Sequence, residues 1–311
     1  MAKQSIRKNG WSKDDTQLAA LALPTTVWYV LFCYFPMFGV IIAFKEYQIV
    51  GGFLHSVLSS EWTGFKNFGV LFSNRDIWLI IRNTLCYNLV FIVLGIVLPV
   101  SLALVINELR NKTAAKIYQT ILFIPYFLSW VVVSALVWAF LSYDMGLVNS
   151  ILDGRGLDLH RFYMEKNFWP PFLVFMNFWK SIGYSMIIYL ATLTSMDKTF
   201  YEAAVIDGAT KSQQIWHLTL PMMKNVIILM FILSMGRIFY SDFGLFYQVP
   251  RDSNSIYQQV YTIDVFVYKQ LKISTTGMAA AAALLQSSVS CLTILLTNWI
   301  VKKLDSDSAM I

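Results

Sequence analysis

Hydrophobic and polar positions along this chain form long blocks rather than a short alternation. Six apolar runs cover about Leu18–Phe44, Ile77–Ile106, Ile117–Leu141, Phe168–Met196, Met222–Tyr240 and Gly277–Val301. Each is close to or longer than the roughly 20 residues that cross a bilayer core. The pattern predicts an all-α membrane protein with six transmembrane helices, and Pro24, Pro36, Pro99 and Pro125 predict bends inside the runs. The first run is too long for a signal-peptide core and has no small-residue cleavage site, so it reads as the first span. A polar tail, residues 1–17, precedes a membrane domain of residues 18–303, and residues 304–311 form a second tail.

The stretches between the runs differ in kind. Lys45–Asp76, Ser142–Asn167 and Ser241–Thr276 read as loops on one side of the membrane, the last of them long and polar. Thr199–Pro221, TFYEAAVIDGATKSQQIWHLTLP, lacks loop composition. Thr199 and Glu202 have capping-box spacing, which predicts a helix starting there. Tyr201, Ala204, Val205 and Gly208 follow at i, i+3, i+4 and i+7, a narrow stripe of small residues. Gly208 weakens the helix, a short turn follows, and Leu220-Pro221 closes the segment. The reading is a helix lying across a membrane face, with a side small enough for another protein to grip.

Charge orients these segments. With the N-terminus in the cytoplasm, the inner segments carry Lys3, Arg7, Lys8, Lys13, Arg110, Lys112, Lys116, Lys198, Lys211, Lys224, Lys302 and Lys303. That is twelve basic residues against nine in the longer outer loops, the direction of the positive-inside rule. Both termini and Thr199–Pro221 are then cytoplasmic. The net charge of +6 is scattered over segment ends, which fits membrane topology and not nucleic-acid binding. Composition, at 57% hydrophobic and 14% charged, excludes a soluble globular protein. Cys33, Cys86 and Cys291 all lie in apolar runs and give no disulfide or metal pattern, and His55, His160 and His217 are isolated. No Gly-rich phosphate loop followed by Lys-Ser or Lys-Thr is present, so the chain is expected to hydrolyse no ATP and to have no catalytic or metal site of its own.

Glu202-Ala203-Ala204, then Gly208, then Leu218, Leu220 and Pro221 resemble the EAA loop of ABC importer permeases. Every spacing of that motif agrees; Leu218 stands where isoleucine is usual, and Asn225 where sugar permeases often carry a second proline. Arg82-Asn83-Thr84, Ile124-Pro125, Trp179 with Gly183-Tyr184, and Asn298 with Lys302-Lys303 are similar to carbohydrate-importer permeases, especially those taking up oligosaccharides or polysaccharide fragments in Gram-positive bacteria. The likeness covers roughly Leu18 to Lys303. It implies the type I importer permease fold, a bacterial plasma-membrane location, and a cytoplasmic coupling helix seated in a groove of a separate ATPase. The implied coupling residues are Glu202, Ala203, Ala204, Asp207, Gly208, Leu218, Leu220 and Pro221, with Glu202 paired to a basic group and Gly208 allowing a sharp bend and close backbone approach. It also implies the partners: a second permease making a heterodimer, two ATPase subunits holding ATP and magnesium, and an external substrate-binding protein docking on outer loops such as Ser241–Thr276.

The substrate path is sought among polar groups inside the apolar runs. Lys180 and Arg237 each lie sixteen residues from the inner end marks Met196 and Pro221, about 24 Å up at 1.5 Å per residue. With Arg82 they could form a basic collar suited to an acidic sugar, or they could snorkel to the outer interface or pair with Asp242. Asn88, Asn177, Tyr184, Tyr189 and Gln286 supply hydrogen-bonding groups nearer the midplane, and Trp179 and Tyr184 could offer aromatic faces to a sugar. Interhelical hydrogen bonds and an interfacial aromatic belt are the competing roles. A membrane-embedded glycosyl- or acyltransferase is the alternative function, and it would need a carboxylate or histidine cluster at one membrane face.

Overall fold

The computed structural model describes residues 13–273 and 275–305; Lys3, Arg7 and Lys8 of the first tail and residues 306–311 of the second lie outside them. Helix α1 (Lys13–Tyr29) passes through a wide turn into a tightly wound stretch, Phe35–Phe44, in which Pro36 sits in the first turn. Two short strands, β1 (Lys45–Glu46) and β2 (Glu61–Trp62), pair antiparallel around α2 (Phe53–Ser59), and α3 (Lys66–Ser73) follows. Helix α4 (Ile77–Asn107) runs its full length through Pro99 and packs along α8 (Trp169–Thr194). Both agree with the apolar runs to within a few residues.

The third run is not one bent helix. It divides into α5 (Lys112–Phe123), a short tight turn at Ile124–Phe127, and α6 (Trp130–Leu141), and the two axes differ by 98°. Pro125 cannot continue the helix, and Ser129 starts a new one by accepting the Val132 N–H. Among the described residues, five helices are long and apolar enough to cross a membrane, six if this broken pair counts as one span. In that form the six-span reading holds. The α5 backbone crosses α8 at Gly183, where a Cβ would lie 2.1 Å from the Leu122 carbonyl oxygen; only glycine permits that approach.

Helix α7 (Leu147–Asp153) precedes α8, and α9 (Lys198–Ile206) and α10 (Lys211–Gln214) follow it. The fifth span is α11 (Leu220–Met235), continued backward by a wide turn at Ile215–Thr219, and α14 (Thr276–Leu304) is the last. Between them the expected polar loop is folded. It holds a wide turn at Gly244–Gln248, α12 (Tyr257–Val260) and α13 (Ile263–Lys272), and it buries Leu245, Phe246, Val249, Ile256 and Phe266. Its apolar residues are spread among polar ones, so they read as a loop in one dimension and become a core only when folded back.

Two hydrophobic clusters result. One joins Tyr87, Val133, Trp169, Leu173, Phe246 and Phe266. The other joins Val100, Ala103, Ile106, Met186, Leu193 and Met223. Along α4 the stretch between Tyr87 and Val100 belongs fully to neither, and a hollow opens there.

Candidate functional site: a membrane cavity and a helix between two spans

The hollow has a volume of about 340 Å³. Helix α4 contributes Asn88, Phe91 and Gly95; α8 contributes Asn177, Ser181, Ser185 and Tyr189; α11 contributes Met230 and Ser234; Arg237, Tyr240, Ser241 and Asp242 come from the chain beyond α11. Helix α11 ends at Met235, so the next few carbonyls leave the helical ladder within a largely apolar body. Side chains meet that need. The Asn88 amide donates to the Ile238 and Tyr240 oxygens at 2.7 and 2.8 Å, and Gln286 donates to the Phe239 oxygen at 2.8 Å. Asp264 accepts the Ser241 N–H at 2.6 Å and the Ser241 hydroxyl at 2.8 Å. Irregular backbone is thus held open beside a polar space.

Four of the eight path residues sought in the sequence, Asn88, Asn177, Tyr189 and Arg237, come together here. The other four do not. Gln286 is 4% exposed and is spent on the Phe239 carbonyl and Asp264. Trp179 packs against the first cluster and lines a separate apolar hollow between α6 and α8. Lys180 donates to the Tyr126 oxygen at 2.9 Å and lies 5.4 Å from the Tyr126 and Trp130 ring centres. Tyr184 stacks on Tyr126 at 4.6 Å. Lys180 and Tyr184 therefore belong to an aromatic cluster at the break between α5 and α6. Arg82 lines yet another hollow with Tyr87 and Gln259, so the three cations do not share one collar. Asp242 does not pair with Arg237; it accepts from the Trp130 indole at 2.7 Å and from the Gly244 and Leu245 N–H groups.

Residues that the sequence reading missed are Ser181, Ser185, Ser234 and Ser241. A signal existed for the first two: Asn177, Ser181 and Ser185 recur at i+4, a polar stripe on one face of an apolar helix. Ser234 near the end of α11 and Arg237, three residues on in the turn beyond it, form a shorter one.

The second candidate is helix α9, in the segment between the fourth and fifth spans. Its N-cap is Asp197, which accepts the Thr199 N–H at 3.0 Å, and not Thr199 as its spacing to Glu202 suggested. A carboxylate two residues upstream takes that N–H, so Thr199 enters the first turn and Glu202 faces solvent. The Thr199 backbone N–H, and then its side chain, hold the Asp197 carboxyl below its ordinary range. A capping box does form one helix later, between Thr210 and Gln213. Helix α9 ends where Gly208 adopts φ +79°, with the Ala209 N–H returning to Ala204 and the Gly208 N–H to Val205. Open space surrounds Gly208 in this chain, so it is the backbone angle and not a close contact here that calls for glycine.

Only half of the expected stripe faces inward. Tyr201 and Ala204 are half-buried; Val205 and Gly208 are exposed. The Tyr201 hydroxyl meets the Thr219 hydroxyl at 3.1 Å, and buried Gln214 donates to the Ala209 oxygen at 3.1 Å. These bonds tie α9 to the base of the fifth span. Leu218 and Leu220 are half-buried at that base, and Pro221 is exposed in the first turn of α11. Outward, the loop shows Phe200, Glu202, Ala203, Val205, Ile206 and Asp207, so the presented face is largely apolar and not small. Lys211 bridges to Glu108 at 3.0 Å across a hollow of about 640 Å³ beside α9. Among the described residues, no group of three or more His, Cys, Asp or Glu could hold a metal ion.

Known proteins are similar to this chain in sequence and in fold. A family model described as binding-protein-dependent transport system inner membrane component matches residues 95–306. The chain is 34% identical to the polygalacturonan/rhamnogalacturonan transport system permease protein YteP of Bacillus subtilis, over 92% of this chain and 88% of that one. It is 33% identical to Protein LplB of the same organism, over 95% and 91%. Among solved structures, a bacterial alginate ABC transporter in complex with an alginate pentasaccharide-bound periplasmic protein contains a chain 32% identical to this one. The two overlay with a TM-score of 0.82 over 94% of this chain and 96% of that one. A transport permease, not a transferase, is what these similarities establish: the chain belongs to the family of inner-membrane components of binding-protein-dependent transport systems.

Proposed function

We propose that this chain forms half of the translocation path of an ABC importer for a carbohydrate, an oligosaccharide or polysaccharide fragment, with α9 as its coupling helix. The observation that carries the reading is the fastening of α9 to the fifth span through Tyr201 and Thr219, with its exposed apolar face turned away from the bundle. A helix so fixed passes an external push into α11, because Lys211–Met235 is one 25-residue helical unit reaching the cavity. The sugar-linked names of YteP and the alginate transporter support the substrate class. A second, different permease completes the cavity, and two ATPase subunits, holding ATP and magnesium, grip the two coupling helices. The charge distribution supports cytoplasmic termini, which puts α9 on the side where such subunits lie. Closure of those subunits turns the cavity outward to receive sugar from an external binding protein, and their opening turns it inward.

The test is purification of the tagged chain from native membranes in mild detergent, with Gly208→Asp and Glu202→Lys beside the wild type. The wild type is expected to bring down an ATPase and a second permease in stoichiometric yield, and both variants to lose the ATPase alone. An ATPase indifferent to both substitutions overturns the role given to α9.

A further inference from the structure

The balance of hydrogen-bond donors and acceptors on the cavity wall says what it selects. The Ser181 and Ser234 hydroxyls donate backward to carbonyls of their own helices, Asn177 and Met230, at 2.7 Å each. They therefore turn lone pairs, not hydrogens, toward the space. Both N–H groups of Asn88 are taken by the Ile238 and Tyr240 carbonyls, which leaves its oxygen as an acceptor. Ser241 donates its hydroxyl hydrogen away from the cavity, toward Asp264 and Thr262. Asp242 is engaged by the Trp130 indole and two backbone N–H groups. These groups offer acceptors to the space, and Asn177, Ser185 and Tyr189 add side chains that can both donate and accept.

Arg237 is the one cation among the residues that line this wall. Its guanidinium carries five N–H groups in a fixed fork. Among the described residues it forms no ion pair, and no side-chain hydrogen bond to it is found. It lies two residues past the end of α11, which rises about 21 Å from Pro221 to Met235, in a part of the chain where an unbalanced charge is costly and marks a functional site. A neutral sugar would satisfy the acceptors with its hydroxyls and leave this fork empty.

We propose that Arg237 reads a carboxylate on the transported sugar, so that the cavity takes a uronic-acid unit. The ring hydroxyls donate to Asn88, Ser181 and Ser234, and the carboxylate lies in the Arg237 fork as a bidentate, charge-assisted pair. The inference rests on the carbohydrate-permease reading above and adds the residue that sets charge selectivity.

The complete importer, purified with its partner permease, ATPase and loaded external binding protein, is reconstituted in vesicles. Uptake is followed for an oligogalacturonate and for its methyl ester of the same length, which differs only in lacking the charges. Each variant's rate is divided by the wild-type rate for the same sugar, so that the binding protein's own preference cancels. Arg237→Gln is expected to lower acid uptake at least tenfold while ester uptake stays within about twofold, which also shows that the variant folds. Arg237→Lys is expected to recover part of the acid rate, since it keeps the charge and loses the fork. Equal loss for acid and ester, or no loss for either, overturns the assignment. A wild-type importer that carries neither sugar overturns the inference but not the carbohydrate reading, which falls only if no glycan delivered by the binding protein is carried.

Discussion

Two polar interruptions of the membrane bundle, Lys198–Pro221 and Ser241–Ile273, have similar composition and opposite fates. The first is helical yet keeps Phe200, Val205, Ile206 and Trp216 exposed. The second is less regular yet buries Leu245, Phe246, Val249 and Ile256 almost completely. Hydrophobic burial stabilises the second segment from within. The first holds its position by hydrogen bonds, from Tyr201 to Thr219 and from Gln214 to Ala209, and leaves apolar surface unspent. Exposed apolar residues on a short, well-capped helix outside the bundle are what a partner surface requires. The difference shows that regularity and burial are separate properties; under the proposed function, the regular segment is the one that meets another protein.

The largest expected break in this comparison is Phe246→Ala. At 1% exposure within the first cluster, its loss should lower stability by about 3–5 kcal/mol. Thermal or denaturant unfolding in detergent measures this, and a change below 1 kcal/mol would mean that the outer segment is not part of the core. Ile206→Ser should do the reverse. Ile206 is 85% exposed, so stability should stay within about 0.5 kcal/mol while recovery of the ATPase drops several-fold. A loss of stability without a loss of ATPase would exchange the roles assigned to the two segments.

The smallest effect concerns the Asp197 cap. Its carboxyl is held below the ordinary value of about 3.9, so its contribution to stability is complete above that value and is lost as pH falls through the lower folded value. Unfolding temperatures of wild type and Asp197→Ala should therefore differ by a constant amount above about pH 4 and converge below it. Curves that instead diverge in acid would show that the cap is not the ionised carboxylate.

The order of residues was enough to find the spans, because a bilayer demands length and apolarity, and both are counted along the chain. It also located helix α9 and its glycine turn, since Gly208 at φ +79° and the caps act over a few residues. The exact cap escaped it: Asp197 and Thr199 compete for the same start, and a difference of two residues decides which one accepts. Tertiary structure alone decided the rest. The break at Ser129 turns α6 by 98°, the outer segment becomes core only by folding back, and the cavity joins α4, α8 and the chain beyond α11. Arg237 and Lys180 look equivalent when counted from the inner ends of their helices. Only in three dimensions does one meet aromatic rings and a carbonyl while the other keeps its donors free, because hydrogen-bond partners are set by neighbours in space and not by position in the chain.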